Sequence, residues 1–173
     1  MRSFAEEKRT GTIEILMTKP LSDFQIILAK YLAGVTLVLL SLLPTLIFYY
    51  SVVELGDPIS NIDHASTWGA YIGLFLLGAV FVAIGIFASS ITNNQVIAFM
   101  IALLFCFTVY IGFQFMAANF SAPFDLIFMN LGIHEHYTSV QRGVIDSRDI
   151  VYYISIISLF LVLTKLALQT RKW

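Results

Sequence analysis

The length of the uncharged stretches constrains the fold most strongly. No Asp, Glu, Lys or Arg occurs in the 61 residues from His64 to Phe124, or in the 23 residues between Lys30 and Glu54. A helix of about 20 apolar residues crosses the hydrocarbon core of a bilayer. Residues 33–53 also lack the polar stripe that a helix in a water-soluble bundle would carry. The chain is therefore predicted to be an integral membrane protein.

The overall composition agrees with this prediction. Hydrophobic residues make up 58% of the chain, charged residues only 12%, and the mean hydropathy is +0.84. An ordinary soluble domain has about twice that charged fraction. The net charge of -1 gives no basic field that would favour nucleic acid as a partner. The single cysteine, Cys106, excludes an intrachain disulfide.

Four transmembrane helices are predicted. Their ranges are 31–53, 69–91, 96–118 and 150–168. The long uncharged stretch is divided into two spans by the polar sequence SSITNNQ at 89–95, where a tight turn is expected. Pro44 should kink the first span, because proline removes a backbone donor. The predicted fold class is an all-α, polytopic membrane helix bundle.

Small residues in the second span indicate close helix packing. Gly69 and Gly73 form a GxxxG pair, and Gly85 and Ser89 repeat the spacing. Such positions let two helix backbones approach each other. Plain packing within the bundle is the favoured interpretation over a specific dimer seam.

The loop 119–149 is predicted to contain half-helices on the outer side. Its sequence PFDLIFMNLG, residues 123–132, is apolar but too short to cross a membrane. The HEH sequence at 134–136 lacks the HExxH spacing that places two histidines on one helix face for zinc. We therefore expect a solvated turn there, and no metal site.

The basic residues predict the orientation. Eight of the ten lie in the opening segment and the tail, and two lie in the loop 119–149: Arg2, Lys8, Arg9, Lys19, Lys30, Lys165, Arg171 and Lys172 against Arg142 and Arg148. Basic residues are enriched on the cytoplasmic side of membrane proteins. Both ends of the chain are therefore expected in the cytoplasm, with 1–29 as a cytoplasmic loop.

The opening loop is predicted to contain two short helices, followed by the start of a longer helix. One piece spans 4–9 and is interrupted at Gly11, and a second spans 12–17 and stops before Pro20. Ser22 and Gln25 have the spacing of a capping box. The residues alone leave two interpretations open. The segment could be a helix that pads the inner leaflet, or a docking element that offers its acidic side chains to a partner.

The opening stretch FAEEKRTGTIEILMTKPLSDFQIILAKYLA resembles the cytoplasmic loop between the second and third spans of ABC-2-type transporter permeases. The pattern consists of acidic residues, then Gly-Thr-x-Glu, then Pro and Ser before an apolar helix with a Lys. The matching residues are Glu6, Glu7, Gly11, Thr12, Glu14, Pro20, Ser22 and Lys30. The closing stretch RGVIDSRDIVYYISIISLFLVLTKLALQTRKW is similar to the final span and tail of that family. The sequence of the closing stretch is most similar to the family's gliding-motility-associated permeases.

The resemblance implies that residues 1–173 are a partial permease domain, equivalent to spans three to six of a six-span protein. Two further spans are then expected upstream, and Met1 is expected to be an internal methionine. The implied partners are a cytoplasmic ABC ATPase subunit, a second permease subunit in a homo- or heterodimer, and the lipid bilayer. The implied ATPase-coupling residues are Glu6, Glu7, Gly11, Thr12, Glu14 and Pro20.

The expected function is that of a permease subunit in a bacterial inner membrane, linked to gliding motility. The sequence contains no GxxxxGK[ST] motif, so we expect a non-enzymatic chain without a cofactor, with ATP used by the partner ATPase. No catalytic residues are predicted, because the three histidines fall at or outside the outer interface without a carboxylate pair beside them. The alternative is a non-transporting scaffold that anchors motility or secretion machinery.

Overall fold

The computed structural model describes residues 2–12, 22–56, 62–120, 124–144 and 146–170. Within these ranges the regular structure is helical and contains no strand, so the all-α fold class is confirmed. Four helical segments of the described chain are long and apolar enough to cross a membrane: Asp23–Leu55, His64–Ile91, Gln95–Asn119 and Ser147–Gln169. Each contains one of the four predicted ranges and extends beyond it.

The first candidate span is divided into two helices. A short helix, α1 (Arg2–Thr10), precedes it, and the span itself consists of α2 (Asp23–Leu42) and α3 (Thr45–Leu55). The predicted capping box that starts α2 is confirmed, because Ser22 and Gln25 exchange both of its hydrogen bonds. Leu43 still donates to the Leu39 carbonyl oxygen, but Pro44 lacks the N–H that would continue the ladder. Leu46 and Ile47 then donate to carbonyls three residues back.

The second span is the single helix α4 (His64–Ile91), which lies at the centre of the bundle. It begins five residues before the predicted 69–91 because Asp63 caps it, accepting from the backbone N–H groups of Ala65 and Ser66. In its most apolar stretch 56% of the residues are buried, against 11–22% in the other spans. α4 therefore forms the interior that the other helices surround.

The third span changes helix type along its length. It runs as α5 (Gln95–Phe107), then a π-helical turn (Thr108–Gly112), then α6 (Phe113–Asn119). Asn94 caps its start by accepting from Val96 N–H at 2.9 Å. The polar interruption between the second and third spans thus ends one helix and starts the next.

The loop between the third and fourth spans contains two short helices. These are α7 (Phe124–Leu131) and α8 (Ile133–Gln141), which we call the hairpin. The expected solvated turn at 134–136 is wrong, because these residues lie inside α8. Ile133 and Val140 are fully buried. Packing of α8 onto α4 therefore stabilises a helix that the local sequence does not predict.

The last span is α9 (Ser147–Gln169), which packs along α4 more extensively than any other described helix. Asp146 caps it, and the Arg148 backbone N–H that donates to this carboxylate holds the pKa of Asp146 below its usual value. Buried side chains of α4 and α9 form most of the core, together with α2 at one end and α8 at the other.

Candidate coupling site at the α1 end of the bundle

Helix α1 crosses the C-terminal end of α4, and we call this the α1 end. Phe4 and Ala5 are buried there, and their backbone N–H groups both donate to Ser89 Oγ at 2.9 Å. The Lys8 ammonium donates to the Ser90 carbonyl oxygen. The last carbonyls of a helix lack intrahelical partners and carry partial negative charge, so a lysine is a favourable cap. The last turn of α4 is thus fastened to α1.

A second attachment joins α1 to α2. Glu7 Oε1 pairs with Lys30 Nζ at 2.5 Å, and both side chains are at most about a third exposed. The same ammonium lies 4.6 Å from the centre of the Phe4 ring, a cation–π contact. These side-chain contacts hold α1 against the first span, to which it is also connected along the chain.

The C-terminal end of α1 remains exposed. Arg9, Thr10, Gly11 and Thr12 are exposed, and Glu6 pairs with Arg9 at 2.7 Å on the surface. Gly11 ends the helix with a φ of +71°, a left-handed conformation that glycine adopts without steric cost. We call residues 9–12, together with the Glu6 side chain that is about a third exposed, the exposed tip. It is a polar, mixed-charge surface at the α1 end.

The six predicted coupling residues do not share one environment. Glu6, Gly11 and Thr12 belong to the exposed tip. Glu7 pairs with Lys30 of α2, and its coupling role stays a prediction. Glu14 and Pro20 lie outside the described residues.

Three of the four predicted packing residues contact α1 or α8, which are not transmembrane spans. A Cβ atom at Gly69 would lie 2.3 Å from the Val140 carbonyl oxygen, and one at Gly73 would lie 3.2 Å from the Tyr137 ring. The absence of a side chain at both glycines therefore allows the hairpin helix α8 to pack closely against α4. Gly85 is buried within the bundle, and the Ser89 hydroxyl accepts hydrogen bonds from the α1 backbone.

The closest approach between α2 and α4 uses glycines that the sequence analysis did not select. A Cβ at Gly34 would lie 2.5 Å from Val82 Cγ1, and a Cβ at Gly78 would lie 2.7 Å from Val38 Cγ1. Each helix thus offers a glycine to the other helix's valine. The signal was present as two Gly-xxx-Val repeats, Gly34 to Val38 and Gly78 to Val82.

At the opposite end of α4 the hairpin is tied to the last span. His136 Nδ1 lies 2.7 Å from Asp149 Oδ1, and His136 Nε2 lies 3.0 Å from the Asn130 carbonyl oxygen. The imidazole stacks on Tyr152 with 3.8 Å between ring centres. Among the described residues no group of three or more His, Cys, Asp or Glu could hold a metal ion. The polar side chains at this end join helices to each other.

Comparison with known proteins identifies the family. A family model described as ABC-2 family transporter protein matches residues 1–172. The comparisons find no similar curated protein and no similar solved structure. The match covers the four candidate spans, the hairpin and α1. The chain therefore belongs to the ABC-2 family of transporter proteins.

Proposed function

We propose that this chain is a membrane-spanning permease subunit that moves a substrate across a bacterial inner membrane, and that the exposed tip of α1 docks a separate cytoplasmic ATPase subunit. Family membership supports the permease role and the need for an ATPase partner. The multi-pass arrangement follows from four apolar helices in the described chain. The tip and its attachments supply the docking part of the proposal.

One observation carries the docking role. α1 is fixed to two spans by its buried face, through Ser89 on α4 and Lys30 on α2, while its C-terminal residues 9–12 are exposed. A helix that only padded the bilayer would present an apolar face to lipid, as interfacial helices do. In this protein the apolar residues Phe4 and Ala5 of α1 are buried inside the bundle, and the exposed side of α1 is polar and charged.

The α1 end is placed in the cytoplasm in this proposal. The support is the distribution of the ten basic residues, eight of which lie in the opening segment and the tail. The hairpin end then faces outward. ATP would be bound and hydrolysed by the partner subunit, whose movement would act on the tip.

A second permease subunit is also part of the proposed assembly, as a homo- or heterodimer. Its support within the described chain is the apolar surface of the first span, where none of the residues of α3 is buried and Leu37, Ile47 and Phe48 are about two-thirds exposed. Lipid or a partner helix would cover this surface.

The further assignment to gliding motility has one support, the similarity of the closing stretch to gliding-motility-associated permeases. Deleting the gene in a gliding bacterium that carries it should abolish spreading without slowing growth. Normal spreading of the deletion strain would remove the motility assignment and leave the permease role intact.

The docking role is tested by reversing one charge at each end. Arg9→Glu alters the exposed tip, and Arg142→Glu makes the same reversal on an exposed arginine at the hairpin end. We expect Arg9→Glu to weaken co-purification with the ATPase by about tenfold, because it places a repulsive or unpaired charge in the contact. Arg142→Glu should co-purify like the unmodified protein. Equal co-purification of both variants, or equal loss in both, would overturn the docking site.

A further inference from the structure

The two ends of α4 hold α1 and the hairpin helix α8. Ser89 and Ser90 in its last turns hold α1. Ser66, Gly69 and Gly73 in its first turns hold α8, with Ser66 Oγ donating to the Gln141 carbonyl oxygen at 2.9 Å. One unbroken helix of 28 residues, about 42 Å long, therefore connects the exposed tip to the hairpin.

The first span is a poorer connector. It is continuous with the opening loop in sequence, but Pro44 has no N–H for the helical ladder, and Leu46 and Ile47 donate to carbonyls only three residues back. A helix whose ladder is weakened at a proline bends there more readily, whereas an intact, buried helix carries a displacement along its axis. α1 also packs more extensively on α4 than on any other described helix.

We propose that α4 is the element that transmits movement of α1 to the hairpin, with Ser89 as the positioning residue that engages α1 and Gly69 as the position that engages α8. This inference rests on the proposed function, because it assumes that an ATPase moves α1. It adds a route through a particular helix, which neither the family match nor the predicted coupling residues supply.

Two adjacent serines provide a matched pair of variants. Ser89 and Ser90 are both fully buried. The Ser89 hydroxyl accepts from the α1 backbone, whereas the Ser90 hydroxyl donates to Phe87 within α4, and only the main-chain carbonyl of Ser90 meets Lys8. Ser89→Ala therefore removes an attachment between helices, and Ser90→Ala does not.

The experiment uses the full permease with its ATPase in nanodiscs, with Cys106→Ser and spin labels at Phe115→Cys and Gln141→Cys. Both labelled positions are exposed, and the distance between them reports movement of α8 relative to α6. We expect trapping with ATP and vanadate to shift this distance in the unmodified protein. Ser89→Ala should bind the ATPase yet reduce the shifted population by about fivefold or more, because it removes two hydrogen bonds from the α1 backbone. Ser90→Ala should respond like the parent.

A second pair tests the other end of α4. Gly69→Ala would place a methyl group against the Val140 carbonyl and separate α8 from α4, whereas a Cβ at Gly132 meets its neighbours at 3.4 Å or more. Gly69→Ala should lose the distance response with ATPase binding retained, and Gly132→Ala should keep it. A full response in Ser89→Ala or Gly69→Ala, or equal losses in either matched pair, would overturn transmission through α4. If the unmodified protein binds no ATPase or shows no nucleotide response, the proposed function itself fails.

Discussion

Lys30 illustrates how a single residue can join two elements in this protein. Its ammonium group pairs with Glu7 and lies over the Phe4 ring, so α2 holds α1 by charge and by cation–π contact together. The Glu6–Arg9 pair on the same helix is different, because Arg9 is 67% exposed and both partners belong to α1. A screened pair of this kind contributes little to stability.

A pair of double-mutant cycles should separate these two ion pairs. We expect a coupling free energy of about 1 kcal/mol between Glu7→Ala and Lys30→Ala, and about 0.3 kcal/mol between Glu6→Ala and Arg9→Ala. The reason is that the first pair is half-buried and joins two helices, whereas the second is solvated. The measurement is reversible unfolding in mild detergent. Coupling in the exposed pair as large as in the half-buried pair would contradict this assignment.

Residue roles were predictable when both partners are close in sequence. The capping box at Ser22 and Gln25 is an example, because its two hydrogen bonds span three residues. Ser89 was singled out only for its small size. Its partners are 84 and 85 residues away, and no local pattern indicates that its hydroxyl serves a second helix.

The crossing of α2 and α4 depends on reciprocal glycine–valine contacts. Gly34→Ala should lower the free energy of unfolding by about 1–3 kcal/mol, because the new methyl group overlaps the stiff Val82 side chain. Adding Val82→Ala should recover much of the loss by removing the overlapping atoms. Thermal unfolding in detergent measures both. If the double variant is as unstable as the sum of the two single variants, the contact does not limit this crossing.

The four spans were predictable from the sequence, whereas the helix α8 was not. Long apolar stretches indicated the four spans because length and hydropathy alone decide whether a helix can cross a bilayer. α8 was missed because its sequence, IHEHYTSVQ, is polar and its stability comes from burying Ile133 and Val140 against α4. The half-helix predicted at 123–132 overlaps α7 because that stretch is itself apolar.

For the whole molecule, the arrangement predicts that α1 and the hairpin lie on opposite sides of the membrane. In a Cys106→Ser background, Thr10→Cys and Val144→Cys should react with a membrane-impermeant maleimide from opposite sides, since both positions are exposed. Thr10→Cys should react in inside-out vesicles and Val144→Cys in intact spheroplasts. Labelling of both from one side would contradict the four-span arrangement, and labelling with reversed sides would contradict only the proposed orientation.

The π-helical turn at Thr108–Gly112 has a consequence for how the third span is mapped. A π turn accommodates one more residue than an α turn, so Phe113–Asn119 is rotated by roughly 100° from the position that a continuous α-helix would give it. A helical-wheel drawing of residues 95–119 with one constant angle therefore assigns the wrong face to its last seven residues. Scanning mutagenesis of this span should show a periodicity that breaks phase at Gly112 and resumes beyond it.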